Sequence, residues 1–160
     1  MTKRMTAAQA KKKVFELVAE QPIAVLATSD KKGVPHASTM GVMLDKDMNM
    51  YFVTHGHTRK AKQIMENKQV SGALWKMGLG YIQFSGKATL VRKKTEAEDR
   101  ADQLVEMLCA IEDFWPPLFD SSSKDYVVFR LKLNWLRLLD LAKDRAVHEK
   151  GKATYQILGK

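Results

Sequence analysis

The sequence predicts a mainly β protein, six or seven antiparallel strands closed into a small barrel with helices at its edges. Three observations predict it. Short β-branched and aromatic runs recur along the chain, among them "IAVLATS", "MYFVT" and "YVVFRLKL". The early runs are separated by polar turns of a few residues, too short for the crossovers that parallel neighbours require. Only three segments carry the apolar period of an amphipathic helix. Closing such a sheet removes its exposed strand edges.

Each element follows from local chemistry. Thr6 to Glu20 reads as a helix, because Thr6 and Gln9 have capping-box spacing, Val14, Leu17 and Val18 share a side, and Pro22 stops the run. Ile23–Ser29 is apolar enough for a buried strand, and "DKKG" after it offers turn chemistry, with Gly33 free to take a positive φ. Pro35–Leu44 and Met50–Thr54 are the second and third strands, joined by "DKDMN", so the first three strands form a meander. A short helix follows from Thr58 to about Asn67. Val70–Trp75 and Tyr81–Val91 are strands, the longer one carrying Gly86 as a bend or bulge. "TEAEDRADQLVEMLCAIEDFW" has capping-box spacing at Thr95 and Glu98 and runs as a helix to Pro116 and Pro117. Tyr126–Leu133 and Leu136–Leu141 are the last strong strands, and "TYQIL" in the polar tail has weak β character.

The chain of 160 residues fits one domain over 1–160, with the first helix inside 1–20 and a tail over 142–160. Hydrophobic residues at 45% and charged residues at 28% are ordinary for a globular protein. No apolar run approaches the roughly 18 residues that span a bilayer. The basic N-terminus has no apolar segment behind it and does not read as a secretory signal. Cys109 is the only cysteine, so no disulfide framework exists and a cytoplasmic location is expected. The net charge of +9 raises nucleic-acid binding, but the cations are scattered and no aromatic residues interleave with them. Anionic small ligands account for part of the charge at least as well.

The most informative stretch is "YFVTHGHTRKAKQI", from Tyr51 to Ile64. A strand ends, and Thr58 caps a helix whose first turn carries Arg59 and Lys60. Backbone N–H groups at a helix start lack internal partners, and the dipole places partial positive charge there. A hydroxyl and two cations on that turn make a seat for a phosphate. Thr-Arg-Lys at a helix start is common, so on these residues alone capping plus a solvated basic face is the commoner reading, with the phosphate seat open beside it.

The succession "PHASTMGVML…MYFVTHGHTRKAKQIMENKQVSGALW…YIQFSGKATLV" resembles the pyridoxamine 5'-phosphate oxidase-like, FMN-binding split β-barrel family, and within it the small bacterial general stress proteins. The likeness spans residues 23–91 well and 126–141 more loosely. It implies a six- to seven-stranded antiparallel split β-barrel of the FMN-binding type, a homodimer whose two chains share each FMN site, and flavin redox chemistry. It further implies that Thr54, Thr58, Arg59 and Lys60 hold the FMN phosphate, that Val53 offers backbone to the flavin, that Ser38, Thr39, Met40 and Gly41 line the ring, and that Gln83 reaches the cofactor. Departures count against vitamin B6 oxidation. Ser38 and Met43 stand where the true oxidases carry an Arg and a Lys, and "AVHEK" (146–150) keeps only His148 and Lys150 of the oxidase C-terminal signature.

The resemblance therefore implies an FMN-dependent oxidoreductase with unknown substrate and no catalytic side chain singled out. A binding or sensor protein on the same fold, holding FMN, F420 or haem without turnover, is the alternative. No metal site is expected, because His55 and His57 lack a third ligand at a familiar spacing and His36 and His148 are distant in sequence. Of Trp75, Trp115 and Trp135, at least two read as core or dimer packing rather than flavin stacking, and Cys109 as a buried, inert thiol.

Overall fold

The computed structural model describes residues 5–111, 125–141 and 154–159. Helix α1 (Ala7–Glu20) opens with the reciprocal cap, Gln9 N donating to Thr6 Oγ1 at 3.2 Å and Thr6 N to Gln9 Oε1 at 2.8 Å. Its buried residues, Ala10, Val14, Leu17 and Val18, recur at helical spacing and pack into the main core. Strand β1 (Ile23–Ser29) pairs along its whole length with β2 (Pro35–Gly41). The turn between them is held by Asp30, whose carboxylate accepts from Lys32 N and Val34 N, while Gly33 takes φ 82°.

Val42, fully buried, separates β2 from the short β3 (Met43–Leu44), and β3 pairs with β4 (Asn49–His55). The expected meander is thus bent at Val42. The run from Pro35 to Leu44 pairs with β1 in its first part and with β4 in its last. Around the sheet the order is β2, β1, then β5 (Gln69–Lys76), β6 (Gly80–Leu90), β7 (Tyr126–Asp140), β4 and β3, with β8 (Thr154–Leu158) added beside β7. The two ends of that path are neighbours in the chain, so the sheet curls back on itself as an antiparallel split barrel.

Three local expectations change. Residues 126–141 contain one long strand rather than two, because Asn134 is an extra residue absorbed as a bulge opposite Ser85 and Gly86. Gly86 allows the close approach there, since a Cβ would lie 2.2 Å from Lys132 O. Helix α3 (Lys94–Cys109) starts two residues earlier than the Thr95 box predicts, with Lys93 rather than Thr95 as N-cap and no side-chain cap. Cys109 is exposed rather than buried. The predicted continuation of α3 to Trp115 lies outside the described residues.

Two apolar clusters position β4. Met50 and Phe52 point into the barrel, where Phe52 stacks on Phe129 at 5.4 Å between ring centres. Tyr51 and Val53 point the other way, against Leu104 and Leu108 of α3. Burying one such side chain contributes about 1.5–3 kcal/mol, so β4 is fixed from both faces. No described helix is long and apolar enough to cross a membrane.

Candidate functional site

Where β4 ends, its last residues carry the strand order into a polar turn. Thr54 is buried at the strand's end, and its Oγ1 lies 3.2 Å from Thr58 Oγ1. Thr58 is the N-cap of α2 (Arg59–Glu66), donating from Oγ1 to His55 O at 2.8 Å and accepting from Ala61 N at 3.4 Å. The cap works as the sequence predicts. Helix α2 is held in place from below. Ala61 and Ile64 enter the core, Thr28 Oγ1 donates to Gln63 Oε1 at 2.7 Å, and Asn67 Nδ2 donates to Ser29 Oγ at 2.8 Å.

That anchoring fixes where the two cations go. Arg59 is exposed and lines a cleft of about 580 Å³ between α2 and the start of β2, with Pro35, His36, Lys62 and the acidic Asp30 and Glu66. Lys60 is half-buried, and burial holds its ammonium below the ordinary lysine range. Neither cation forms an ion pair among the described residues. A desolvated ammonium without a counter-ion gains from any anion that reaches it. Hydroxyls, first-turn N–H groups, a guanidinium and that ammonium together suit a phosphate in donor chemistry and charge.

The remaining predicted residues are distributed more widely. Past Tyr51, β4 has a strand neighbour only on its β7 side among the described residues, so the Val53 segment leaves an edge open. The Val53 side chain itself is buried under α3. On β2, Met40 is committed to the core, and Leu108 closes over Gly41, 2.7 Å from where a Cβ would stand. Ser38 is half-buried. Thr39 is exposed and lines a second cleft of about 390 Å³ with Ile23, Trp75 and Met77. Gln83 is exposed on β6, opposite Ala73 and Arg137, with β7 standing between its strand and β4. One chain thus gathers Thr54, Thr58, Arg59 and Lys60 at one junction and leaves Gln83 on a separate strand. Met43, where the true oxidases are expected to carry Lys, is buried against α3. Trp75 is exposed in the single chain and so is not a core residue, and Trp115, His148 and Lys150 lie outside the described residues.

Sequence reasoning missed one group altogether. Asp125, from the start of the β7 segment, lies beside His57, its Oδ2 2.5 Å from His57 Nδ1. That hydrogen bond holds the Asp125 carboxyl below the usual carboxylate range. Only the register of β4 with β7, which sets His55 opposite Tyr126, brings it there.

Residues 10–140 match the family model described as pyridoxamine 5'-phosphate oxidase. No curated protein sequence matches the chain significantly. Among solved structures, general stress protein 26 from Bacillus anthracis superposes with a TM-score of 0.61 at 20% identity, covering 80% of this chain and 92% of its own. A conserved hypothetical protein from Mycobacterium tuberculosis reaches a TM-score of 0.67 at 20% identity, covering 88% and 91%. A heme binding protein from Mycobacterium smegmatis reaches 0.63 at 16% identity, covering 86% of this chain and 55% of its own. At these identities the structures establish the fold, and the family match over most of the chain establishes the lineage. The chain belongs to the pyridoxamine 5'-phosphate oxidase family.

Proposed function

We propose that this protein binds FMN as a homodimer and works as a flavin-dependent oxidoreductase whose substrate is not a B6 vitamer. The observation that carries the reading is the β4–α2 junction. Two hydroxyls 3.2 Å apart meet a helix start whose two cations have no counter-ion among the described residues. Thr54, Thr58, Arg59 and Lys60 would hold the phosphate, the open edge of β4 near Val53 would offer backbone, and Thr39 with Trp75 would line an apolar wall. Bound flavin supplies the hydride or electron transfer, while the chain's own residues bind, orient and shield it. A second copy is what would bring a Gln83 to the ring, since β7 separates β6 from β4 within one chain. The burial of Met43 supports a substrate site without the second phosphate-binding cation of the B6 oxidases.

The purified protein is expected to show flavin absorbance, or to take up added FMN to saturation and then lose colour with NADH or NADPH. A colourless protein that ignores FMN in titration removes the reading. A second reading, a haem-holding or sensor protein on the same barrel, draws on the likeness to the heme binding protein from Mycobacterium smegmatis. A Soret band instead of flavin absorbance would favour it.

A further inference from the structure

The turn from β4 into α2 contains a second donor set that the phosphate seat does not use. His55 ends β4, Gly56 makes the turn, and His57 precedes the Thr58 cap. Asp125 reaches the same place from the start of the neighbouring strand β7, held there by Gly56 N donating to Asp125 O at 2.9 Å. One ligand atom from each of His55, His57 and Asp125 lies within 4.8 Å of the other two. The two imidazoles stack with centres 5.4 Å apart. His57 Nδ1 already touches Asp125 Oδ2 at 2.5 Å. His55 Nδ1 is buried and has no hydrogen-bond partner among the described residues. A side chain at position 56 would crowd the carboxylate, because its Cβ would sit 3.2 Å from Asp125 Oδ1.

We propose that His55, His57 and Asp125 form a binding site for a divalent transition-metal cation of the Zn²⁺ class. Two imidazole nitrogens and one carboxylate oxygen are the donors such ions prefer, whereas Mg²⁺ and Ca²⁺ take mainly oxygen. With metal–ligand bonds near 2.1 Å, a tetrahedral ion needs donor atoms about 3.4 Å apart. The His57–Asp125 contact must open to that spacing and longer separations must shorten to it; the two side chains are 72% and 58% exposed, so both are free to rotate. Water fills the remaining coordination positions. The ion ties the loop that carries Thr58 to the start of β7 and adds positive charge beside the phosphate seat. A bare His57–Asp125 ion pair gives no role to His55, and that difference decides between the two.

The test is a titration of the full-length, tag-free and metal-stripped protein with Co²⁺, read by visible d–d absorption, with Zn²⁺ as competitor. No flavin is added, so the outcome is independent of FMN binding. One Co²⁺ per chain is expected, displaced by Zn²⁺. Losing a ligand should weaken binding by more than the roughly 10–100-fold that loss of an outer-shell partner causes. His57→Ala, His55→Ala and Asp125→Asn should each show that loss, with Asp125→Asn retaining the backbone bond to Gly56 as the variant that keeps the turn. His36→Ala, on β2 and outside the cluster, should bind as the parent does. Absence of saturable Co²⁺ absorption overturns the site, as does undiminished binding by Asp125→Asn or His55→Ala.

Discussion

At one end of β4, Asp45 accepts hydrogen bonds from Asp47 N, Asn49 N, Asn49 Nδ2 and Tyr51 Oη, at 2.9, 2.8, 2.9 and 3.2 Å. At the other end, Thr54 and Thr58 share a hydroxyl contact, and Arg59 and Lys60 meet no carboxylate among the described residues. The same strand, clamped between two apolar clusters, thus begins at a saturated anion and ends at unsatisfied cations. Burial alone would push the Asp45 carboxyl up, but the hydrogen bonds from Asn49, Asp47 and Tyr51 outweigh it and hold the group low. Lys60 has only the burial and is pushed down with nothing to offset it. A saturated polar cluster holds a fold together; an unsaturated one at a helix start is where a ligand completes the set.

That contrast breaks most visibly at the unsaturated end. Replacing both Arg59 and Lys60 by Ala should weaken FMN binding about 100-fold or more. Each charge-assisted hydrogen bond contributes roughly 1.5–3 kcal/mol, and about 1.4 kcal/mol is tenfold. Fluorescence titration measures it, and the double variant should unfold close to the parent, since Arg59 is exposed and Lys60 forms no ion pair among the described residues. The saturated end should respond in the opposite sense. Asp45→Ala strands several donors at the β3–β4 turn and should cost roughly 1–3 kcal/mol in denaturant unfolding, leaving FMN affinity in the folded fraction unchanged.

The pH dependence sharpens the same comparison. Asp45 has a folded pKa below its unfolded one, so its stabilising contribution is full above the ordinary carboxylate range and disappears as pH falls through the lowered value. Urea melts of parent and Asp45→Asn should therefore converge in acid. Lys60 is also lowered, but for a base the sign reverses. Between its folded and unfolded pKa values the unfolded chain binds more protons, so stability rises with pH there. An anion bound beside it restores the charge, so FMN affinity should fall as pH climbs through the lowered Lys60 value. The smallest expected effect is a slight rise in the melting temperature of flavin-free Lys60→Met at neutral pH, read by calorimetry, because a desolvated charge has been removed.

Legibility in the sequence tracked how local each feature is. Thr6 and Gln9 are three residues apart and Thr58, Arg59 and Lys60 are consecutive, so both caps are readable from spacing. Thr95 looked equally convincing, yet α3 begins at Lys94. The helix starts where the chain leaves the sheet, just after Val91 N bonds Val128 O. Asn134 and Trp135 interrupt the alternation of β7 and mimic a turn, and only the register against Gly86 shows a bulge. The bend at Val42 depends on closing the barrel, which no local pattern encodes. Asp125 was invisible because 68 residues separate it from His57 and strand pairing alone unites them.

The most direct test of the phosphate seat compares FMN with riboflavin, which has the same ring and lacks the phosphate, by fluorescence titration of the parent protein at neutral pH. Saturable FMN binding with riboflavin at least about 100-fold weaker is expected, on the same charge-assisted bonds. Equal affinity for the two flavins, or no uptake of either, would contradict the assignment of Thr54, Thr58, Arg59 and Lys60.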